Sequence, residues 1–359
     1  MLSVGSSSHT PFQASTSFAS TPETPSESFQ RRHGSFTAHK RIAEGGFSTV
    51  YAMVDAASGE RIALKLVDLK DDKKLEYLND EIRIMRRLNH PHVVRLLAAS
   101  VSGSSDDSRQ GALVMELAAC GSLFDFVRNE SSGLDVFLAR IFFRQIVGAV
   151  CHLHEVGIAH RDLKPSNVLV MDSETVKLAD FGLSANVRRN TRGIELRDEN
   201  FSGTDQFSSP LKLKEKPSLA TKDDVWALAL VLFFMHTASF PWDKASEDDE
   251  RYRAWSSTFS PPKPFLSLPM NVQGVLEAML APLERNRSAI GDVAESAYCR
   301  LEDDGDVWVE EVLYDEDGNP VGLYNDPNYG MTTVEMDADD LPKRMEVEED
   351  LEELIDVVN

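Results

Sequence analysis

His160-Arg161-Asp162-Leu163-Lys164-Pro165-Ser166-Asn167-Val168-Leu169-Val170, followed by Lys177-Leu178-Ala179-Asp180-Phe181-Gly182, is the stretch on which the reading of this chain turns. Moving a phosphoryl group onto an alcohol requires a carboxylate to orient the hydroxyl and accept its proton, a cation beside the moving phosphate, and oxygen ligands for Mg²⁺. Asp162, Lys164, Asn167 and Asp180 supply those groups. Val168 to Met171 and Val176 to Ala179 read as two short strands, and the polar Asp172-Ser173-Glu174-Thr175 between them as a turn. Such a hairpin brings Asn167 and Asp180, the two candidate metal ligands, together.

This block resembles the catalytic loop and metal-binding motif of the eukaryotic protein kinases. The likeness is specific, because matching positions recur at a fixed offset between two motifs rather than in one isolated tripeptide. Lys164, in place of an arginine two or four residues after Asp162, is the pattern of the serine/threonine kinases. The resemblance implies an α+β fold of two lobes, a β-rich N-terminal lobe and a mostly helical C-terminal one. It also implies ATP and Mg²⁺ as cofactors, and proteins bearing Ser or Thr as substrates.

Upstream, Ile42-Ala43-Glu44-Gly45-Gly46-Phe47-Ser48-Thr49-Val50-Tyr51 resembles the glycine-rich loop over the ATP phosphates. Ile42 and Val50 are the strand hydrophobics; of the family's three glycines the middle one stands as Gly45, with Gly46 beside it and Ala43 and Ser48 at the outer positions. Small residues there still let backbone N–H groups approach phosphate. Arg61 to Val67 alternates like a strand, carrying Ala63 and, at the family's phosphate-gripping position, Lys65. Asp80 to Leu88 is helical in pattern, and Glu81 sits where the family's lysine partner does; a Lys65 to Glu81 pair would aim the lysine at the α- and β-phosphates. Ala112 to Glu116 resembles the strand running into the hinge. Met115 is then the side chain at the back of the adenine pocket, and Glu116, Leu117 and Ala118 are the hinge residues whose backbone meets adenine. The apolar positions Phe142, Ile146, Ala149, Val150 and Leu153 predict a core helix leading into the catalytic loop.

Downstream, the polar stretch from Gly182 to Leu211 corresponds to the activation segment. Thr204 occupies the position whose hydroxyl, in the family, bonds the catalytic Asp and Lys. Arg161 is of the kind that pairs with a phosphate or an acid in that segment. Asn200 stands at a common phosphothreonine position, so Asp198 and Glu199 are expected to meet Arg161 unmodified, with Thr191 and Ser202 as alternative phosphate carriers. The family closes this segment with Ala-Pro-Glu, whereas this chain has Ser209-Pro210-Leu211. The missing glutamate leaves its expected partner, read as Arg285, in need of another acceptor or of exposure, since an unpaired buried charge is costly. Asp224, in Asp224-Val225-Trp226-Ala227-Leu228-Ala229, is expected to bond the catalytic-loop backbone; a helix-capping Asp is the alternative. The acidic Glu247 to Glu250 opens the next helix. Ala43, Ser48 and Leu211 motivate a rival reading, a partner-binding domain without turnover.

A chain of 359 residues with 42% hydrophobic content accommodates one large two-lobed domain with tails. Residues 301–359 hold 21 acidic side chains against Lys343 and Arg344, so −19 of the net −22 lies there and only −3 in the rest. That tail disfavours nucleic acid and anionic membrane as partners and favours basic ones. Three scattered cysteines exclude a disulfide framework and suit a reducing compartment. With no apolar signal core, and a longest apolar run, Val225 to Met235, far below the roughly 20 residues of a span, a cytoplasmic location is expected, with the nucleus as the alternative. The expected organisation is a disordered Ser/Thr/Pro-rich tail over 1–37, a kinase domain over 38–297 and an acidic tail over 298–359. In that last part Asp317-Gly318-Asn319-Pro320 reads as a turn between two short strands. Val347, Leu351, Leu354, Ile355 and Val358 recur at helical spacing, an amphipathic helix suited to a basic partner or an apolar groove.

Overall fold

Apolar and β-branched residues in short alternating runs build a five-stranded antiparallel sheet in the order β1-β2-β3-β5-β4. Its strands are β1 (Phe36–Glu44), β2 (Ser48–Asp55), β3 (Arg61–Asp68), β4 (Leu96–Ser102) and β5 (Gln110–Glu116). The computed structural model describes residues 36–44, 48–55, 59–69, 72–102, 109–130, 132–300, 313–314 and 320–321. Successive strand side chains point to opposite faces. Ile62 and Leu64 therefore enter a small core with Met53, Ala112 and Val114, and Ala63 and Lys65 share the other face. Helix α1 (Asp72–Met85) buries Leu78, Glu81, Ile84 and Met85 along one stripe. It starts earlier than the sequence pattern indicates and stops before Leu88, where the chain turns into the loop Asn89-His90-Pro91-His92.

The second lobe is organised on two helices. After α2 (Leu123–Asn129), α3 (Val136–Glu155) is capped by Asp135, whose carboxylate accepts from Phe137 N and Leu138 N. By length and composition α3 is apolar enough to cross a membrane, but Phe142, Ile146, Ala149, Val150 and Leu153 are buried in the lobe's core. Between the helices run β6 (Ile158–Ala159), β7 (Val168–Val170), β8 (Val176–Leu178), β9 (Ala185–Asn186) and the short α4 (Pro210–Leu213). Helix α5 (Ala220–Thr237) is buried on every side from Asp223 to Met235, the state its all-round apolar sequence requires. Around it pack α6 (Glu250–Thr258), α7 (Lys263–Leu266), α8 (Met270–Met279), α9 (Ile290–Ala294) and α10 (Ala297–Arg300). Asp249 caps α6 by accepting from Arg251 N and Tyr252 N.

The chain divides into two units, Met1–Glu302 and Asp303–Asn359. In the second, β10 (Leu313–Tyr314) pairs antiparallel with β11 (Pro320–Val321). Pro320 thus belongs to a strand and not to the expected turn: it stands opposite Tyr314 at the first position of its strand, a place where a missing N–H is tolerated. Residues 1–35 of the expected N-terminal tail and the terminal amphipathic helix lie outside the described residues, while Phe36 and Thr37, the last two positions of that tail, belong to β1.

At the C-terminal end of α5, Gly133 (φ +94°) passes so close that a Cβ there would lie 2.5 Å from the His236 carbonyl carbon. His236 Nε2 faces the Tyr298 hydroxyl at 3.0 Å. Burial pulls its imidazole down to about 4, against a small opposing effect of Asp135. A base depressed in the folded state binds fewer protons than it does unfolded. Its stabilising contribution is therefore complete above the ordinary value of about 6.5 and is lost as pH falls through about 4. Thermal unfolding between pH 6.5 and 4 is expected to show a shallower fall in Tm for His236→Gln than for wild type; equal slopes would contradict the assignment.

Candidate active site

The hairpin read from the sequence is present: β7 and β8 pair with Val168 opposite Leu178, and Ala179 N donates to Asn167 O at 2.8 Å. Asn167 and Asp180 therefore flank the open end of one ladder. The loop before it is held from below by Asp224. This residue lies inside α5 and does not cap it, and its buried carboxylate accepts from His160 N (2.8 Å), Arg161 N (2.8 Å) and His154 Nε2 (2.9 Å). Burial opposes the charge, yet His154 and the backbone N–H groups hold the carboxyl below its usual range. Arg161 takes a left-handed backbone, φ 70°, a conformation that costs a non-glycine residue on the order of 1–3 kcal/mol and needs such fixings.

Four donors fix the orientation of Asp162. Lys164 Nζ (2.7 Å) and Asn167 Nδ2 (3.2 Å) reach Oδ2, while Thr204 Oγ1 (2.8 Å) and Thr204 N (3.1 Å) reach Oδ1. Lys164 Nζ also donates to Thr204 Oγ1 at 3.0 Å. The three residues predicted as catalytic, 42 positions apart in sequence at the extremes, form one hydrogen-bonded cluster. His160 links it to the metal-ligand side: its Nδ1 accepts from Asp162 N, so Nε2 carries the proton that meets Ala179 O at 3.1 Å.

Across the cleft, Lys65 Nζ lies 2.7 Å from Glu81 Oε1 and 2.9 Å from Asp180 Oδ1. Burial alone would favour the uncharged amine, but the two carboxylates outweigh it and raise the lysine well above its ordinary range. Asp180 is exposed to the cleft, and although desolvation opposes its charge, the Lys65 ammonium holds its carboxyl below the usual range. Phe181 is fully buried against the His160 ring, centroids 5.2 Å apart, which keeps Asp180 turned toward Lys65. Asn167 spends its Nδ2 on Asp162 O and Oδ2, so its remaining amide group is the oxygen. A carboxylate and an amide oxygen are hard donors of the type Mg²⁺ selects. Among the described residues no group of three or more His, Cys, Asp or Glu could hold a metal, so an ion here would draw its other ligands from phosphate and water.

Ala63 is buried on β3 opposite Met115 of β5, and Val50 of β2 stands opposite Lys65. Met115, Glu116, Leu117 and Ala118 are half-buried, and Ile42 is exposed. Gly45 and Gly46 lie outside the described residues. The Glu116 side chain has a task the sequence did not suggest: it accepts from Arg95 N (2.6 Å) and Lys177 Nζ (2.7 Å), tying the end of β5 to β8.

The sequence model of the protein kinase domain matches residues 36–299. The chain belongs to the protein kinase family. Human NUAK family SNF1-like kinase 1 is 29% identical over 262 residues, 72% of this chain and 37% of the relative. CBL-interacting protein kinase 25 of Oryza sativa subsp. japonica is 36% identical over 208 residues, 56% and 39% of the two chains. CBL-interacting serine/threonine-protein kinase 26 of Arabidopsis thaliana is 33% identical over 220 residues, 60% and 48%. The chain spans less than half the length of these curated relatives.

Charged side chains of the chain itself hold the segment between Gly182 and Leu211 in place. Arg161 Nη2 meets Asp198 Oδ2 at 2.5 Å, both side chains 15% exposed, and Asp198 pairs through its backbone with Ser218. Of the two acids expected to face Arg161, Asp198 does so; Glu199 is exposed. Arg197 donates to Pro217 O (2.7 Å) and meets the buried Glu284 at 2.8 Å, and Glu284 also accepts from Leu219 N. Glu195 accepts from Thr221 N and Oγ1.

Of the two outcomes left open for Arg285, another acceptor or exposure, the structure shows exposure, and it corrects the reading of Arg285 as the buried arginine. Arg285 is exposed, and Arg287 is the buried arginine of this turn. Its guanidinium donates to Ala281 O and Lys222 O, stacks 4.8 Å over Trp226 and lies 3.9 Å from Asp223. The short 3₁₀ turn Glu284–Asn286 sends Glu284 and Arg287 inward and Arg285 outward, a rotation that the sequence spacing does not reveal. Backbone carbonyls thus replace the missing glutamate as the acceptors of the buried cation. Arg287→Ala is expected to destabilise the kinase by about 3 kcal/mol, the scale for stripping a buried polar network of one partner, while Arg285→Ala stays within about 0.5 kcal/mol. Paired urea titrations of the two variants measure this; similar midpoints would reverse the assignment.

Proposed function

We propose that this chain transfers the γ-phosphoryl group of ATP to Ser or Thr hydroxyls of protein substrates. The observation that carries the reading is the assembled pair of clusters: Asp162 with Lys164, Asn167 and Thr204 on one side of the cleft, and Lys65 with Glu81 and Asp180 on the other. In the step, the substrate hydroxyl oxygen forms a bond to the γ-phosphorus, the bond from that phosphorus to the β–γ bridging oxygen breaks, and ADP departs with the electron pair. The hydroxyl proton passes to Asp162, which its donors hold in a fixed orientation. Lys164 places a positive charge beside Asp162, where charge on the moving phosphoryl group is stabilised. Lys65, steadied by Glu81, grips the α- and β-phosphates. Asn167 and Asp180 would hold Mg²⁺, which would supply positive charge to offset that of the phosphates.

The rival reading, a partner-binding domain without turnover, rests on Ala43, Ser48 and Leu211. None of these residues takes part in the contacts just described. The names of the relatives, which include serine/threonine-protein kinases, support the same substrate class. We further propose a cytoplasmic or nuclear site of action, with neither nucleic acid nor membrane as a partner, and a basic protein surface as the ligand of the acidic C-terminal stretch. The −19 charge of residues 301–359 supports that choice.

Radiolabel from γ-labelled ATP is expected to appear on Ser and Thr of a protein substrate with wild type and Mg²⁺. Asp162→Asn or Lys65→Met is expected to lower the rate by a factor of about 10³ or more, the scale of a lost general base or a dismantled phosphate grip. Equal incorporation by wild type and Asp162→Asn would overturn the reading. Because Asp198 already fills the place a phosphate would take beside Arg161, phosphatase treatment is expected to leave the rate within twofold. Asp198→Asn is expected to lower it by about tenfold, the equivalent of roughly 1.4 kcal/mol. Loss of activity on phosphatase treatment with Asp198→Asn unaffected would place control at Thr191 or Ser202.

A further inference from the structure

The residue after the vacant family position is Lys212, and it is buried, 6% exposed, beneath the catalytic loop. Its direction is set locally. Ser209 caps α4, its Oγ accepting from Lys212 N at 3.4 Å, and the single turn of helix leaves Leu211 half-buried at the side and turns Lys212 inward. Nζ then donates to Arg161 O at 3.0 Å. The space it shares with Asp162, Thr204, Phe207 and Asp224 holds a void of only about 10 Å³, room for one water molecule at most.

The two backbone polar groups of Arg161 are thereby held by opposite charges. The Asp224 carboxylate takes its N–H and the Lys212 ammonium takes its C=O. A left-handed residue immediately before the catalytic Asp162 is fixed on both sides. Lys212 also bears on the activation segment: a Cβ on Gly203, φ +137°, would lie 2.9 Å from Nζ and 3.0 Å from Arg161 O. The backbone that presents Thr204 to Asp162 rests directly on this contact. Burial lowers the ammonium's ordinary range, and Asp223, Asp224 and Asp162 draw it back. An amine kept in such a place, with carboxylates gathered round it, is better suited to clamping a loop than to filling space.

We infer that Lys212 is a positioning residue for phosphoryl transfer: its buried ammonium clamps Arg161 O against the Gly203–Thr204 backbone and so sets Asp162 and Thr204 relative to each other. It ties the end of the activation segment to the catalytic loop in a chain that lacks the family glutamate at position 211. The inference rests on the kinase reading above, and the experiment separates the two. Wild type, Lys212→Met and Lys212→Gln, each as the full chain, are compared for peptide kcat, for affinity toward a fluorescent ATP analogue with Mg²⁺, and for amide hydrogen exchange.

Lys212→Met is expected to lower kcat at least tenfold while nucleotide affinity stays within twofold, because Lys212 touches neither Lys65 nor the hinge. Lys212→Gln, which keeps a donor at shorter reach, is expected to fall between the two. Exchange is expected to speed up at residues 160–164 and 203–208 and not in β1 to β5. A kcat within twofold of wild type, a parallel loss of nucleotide affinity, or failure of both variants to fold would overturn the inference, the last by making Lys212 a requirement of the fold. An inactive wild type would instead defeat the kinase reading, and the exchange pattern would still decide for or against the clamp.

Discussion

The buried carboxylate of Asp224 is the constraint from which the rest of the site follows. A charge with 1% exposure survives only when its oxygens are matched by donors, and here the donors are the backbone N–H groups of His160 and Arg161 and the ring of His154. Those donors belong to the segment that carries Asp162. Satisfying the carboxylate and shaping the catalytic loop are therefore one event. Because Asp224 sits on a helix that is buried on every side, the loop is referenced to the close-packed core of the lobe.

From that anchor, order passes outward through short polar contacts. Asp162 is oriented by Lys164, Asn167 and Thr204, and His160 joins Asp162 N to Ala179 O just before Asp180. Asp180 meets Lys65, and Lys65 meets Glu81 on α1. The sheet and the helical lobe are in this way connected by a chain of charges and not only by apolar packing. A second bridge, Glu116 to Lys177, joins the end of β5 to the hairpin. With both closed, Asp162, Lys164, Thr204, Asp180, Lys65 and Glu81 are held in fixed mutual orientation by short polar contacts.

The departure at Leu211 shows how one fold tolerates the loss of an ion pair. The buried guanidinium of Arg287 is satisfied by two backbone carbonyls and a tryptophan face. A pair of reversed polarity, Arg197 with Glu284, fastens the activation segment to the turn where that arginine resides. Arg161 with Asp198 and Lys212 with Arg161 O fasten it to the catalytic loop. Hydrogen-bonded carbonyls are adequate partners for a buried cation, so the guanidinium does not require a carboxylate at position 211.

The sequence by itself determined the fold class and singled out the candidates for the chemistry. Asp162, Lys164, Asn167 and Asp180 lie within 19 positions on one loop and one hairpin, so residue type and local spacing suffice to single them out as candidates, and Lys65, Glu81 and Thr204 follow from the family pattern they complete. The alternation of β3 and the apolar run of α5 were equally legible, because burial on one face or on all faces leaves a periodic trace. What only the tertiary structure decided are the contacts whose partners are chosen by packing. Nothing in the order Leu283-Glu284-Arg285-Asn286-Arg287 tells that a 3₁₀ turn exposes Arg285 and buries Arg287. Nor does the sequence disclose that Lys212 is turned under the catalytic loop, that Arg161 adopts a left-handed backbone, or that of two neighbouring acids Asp198 reaches Arg161 while Glu199 faces solvent. A side chain's type fixes what it can bond; its neighbours in space, set by distant elements coming together around α5, fix what it does bond.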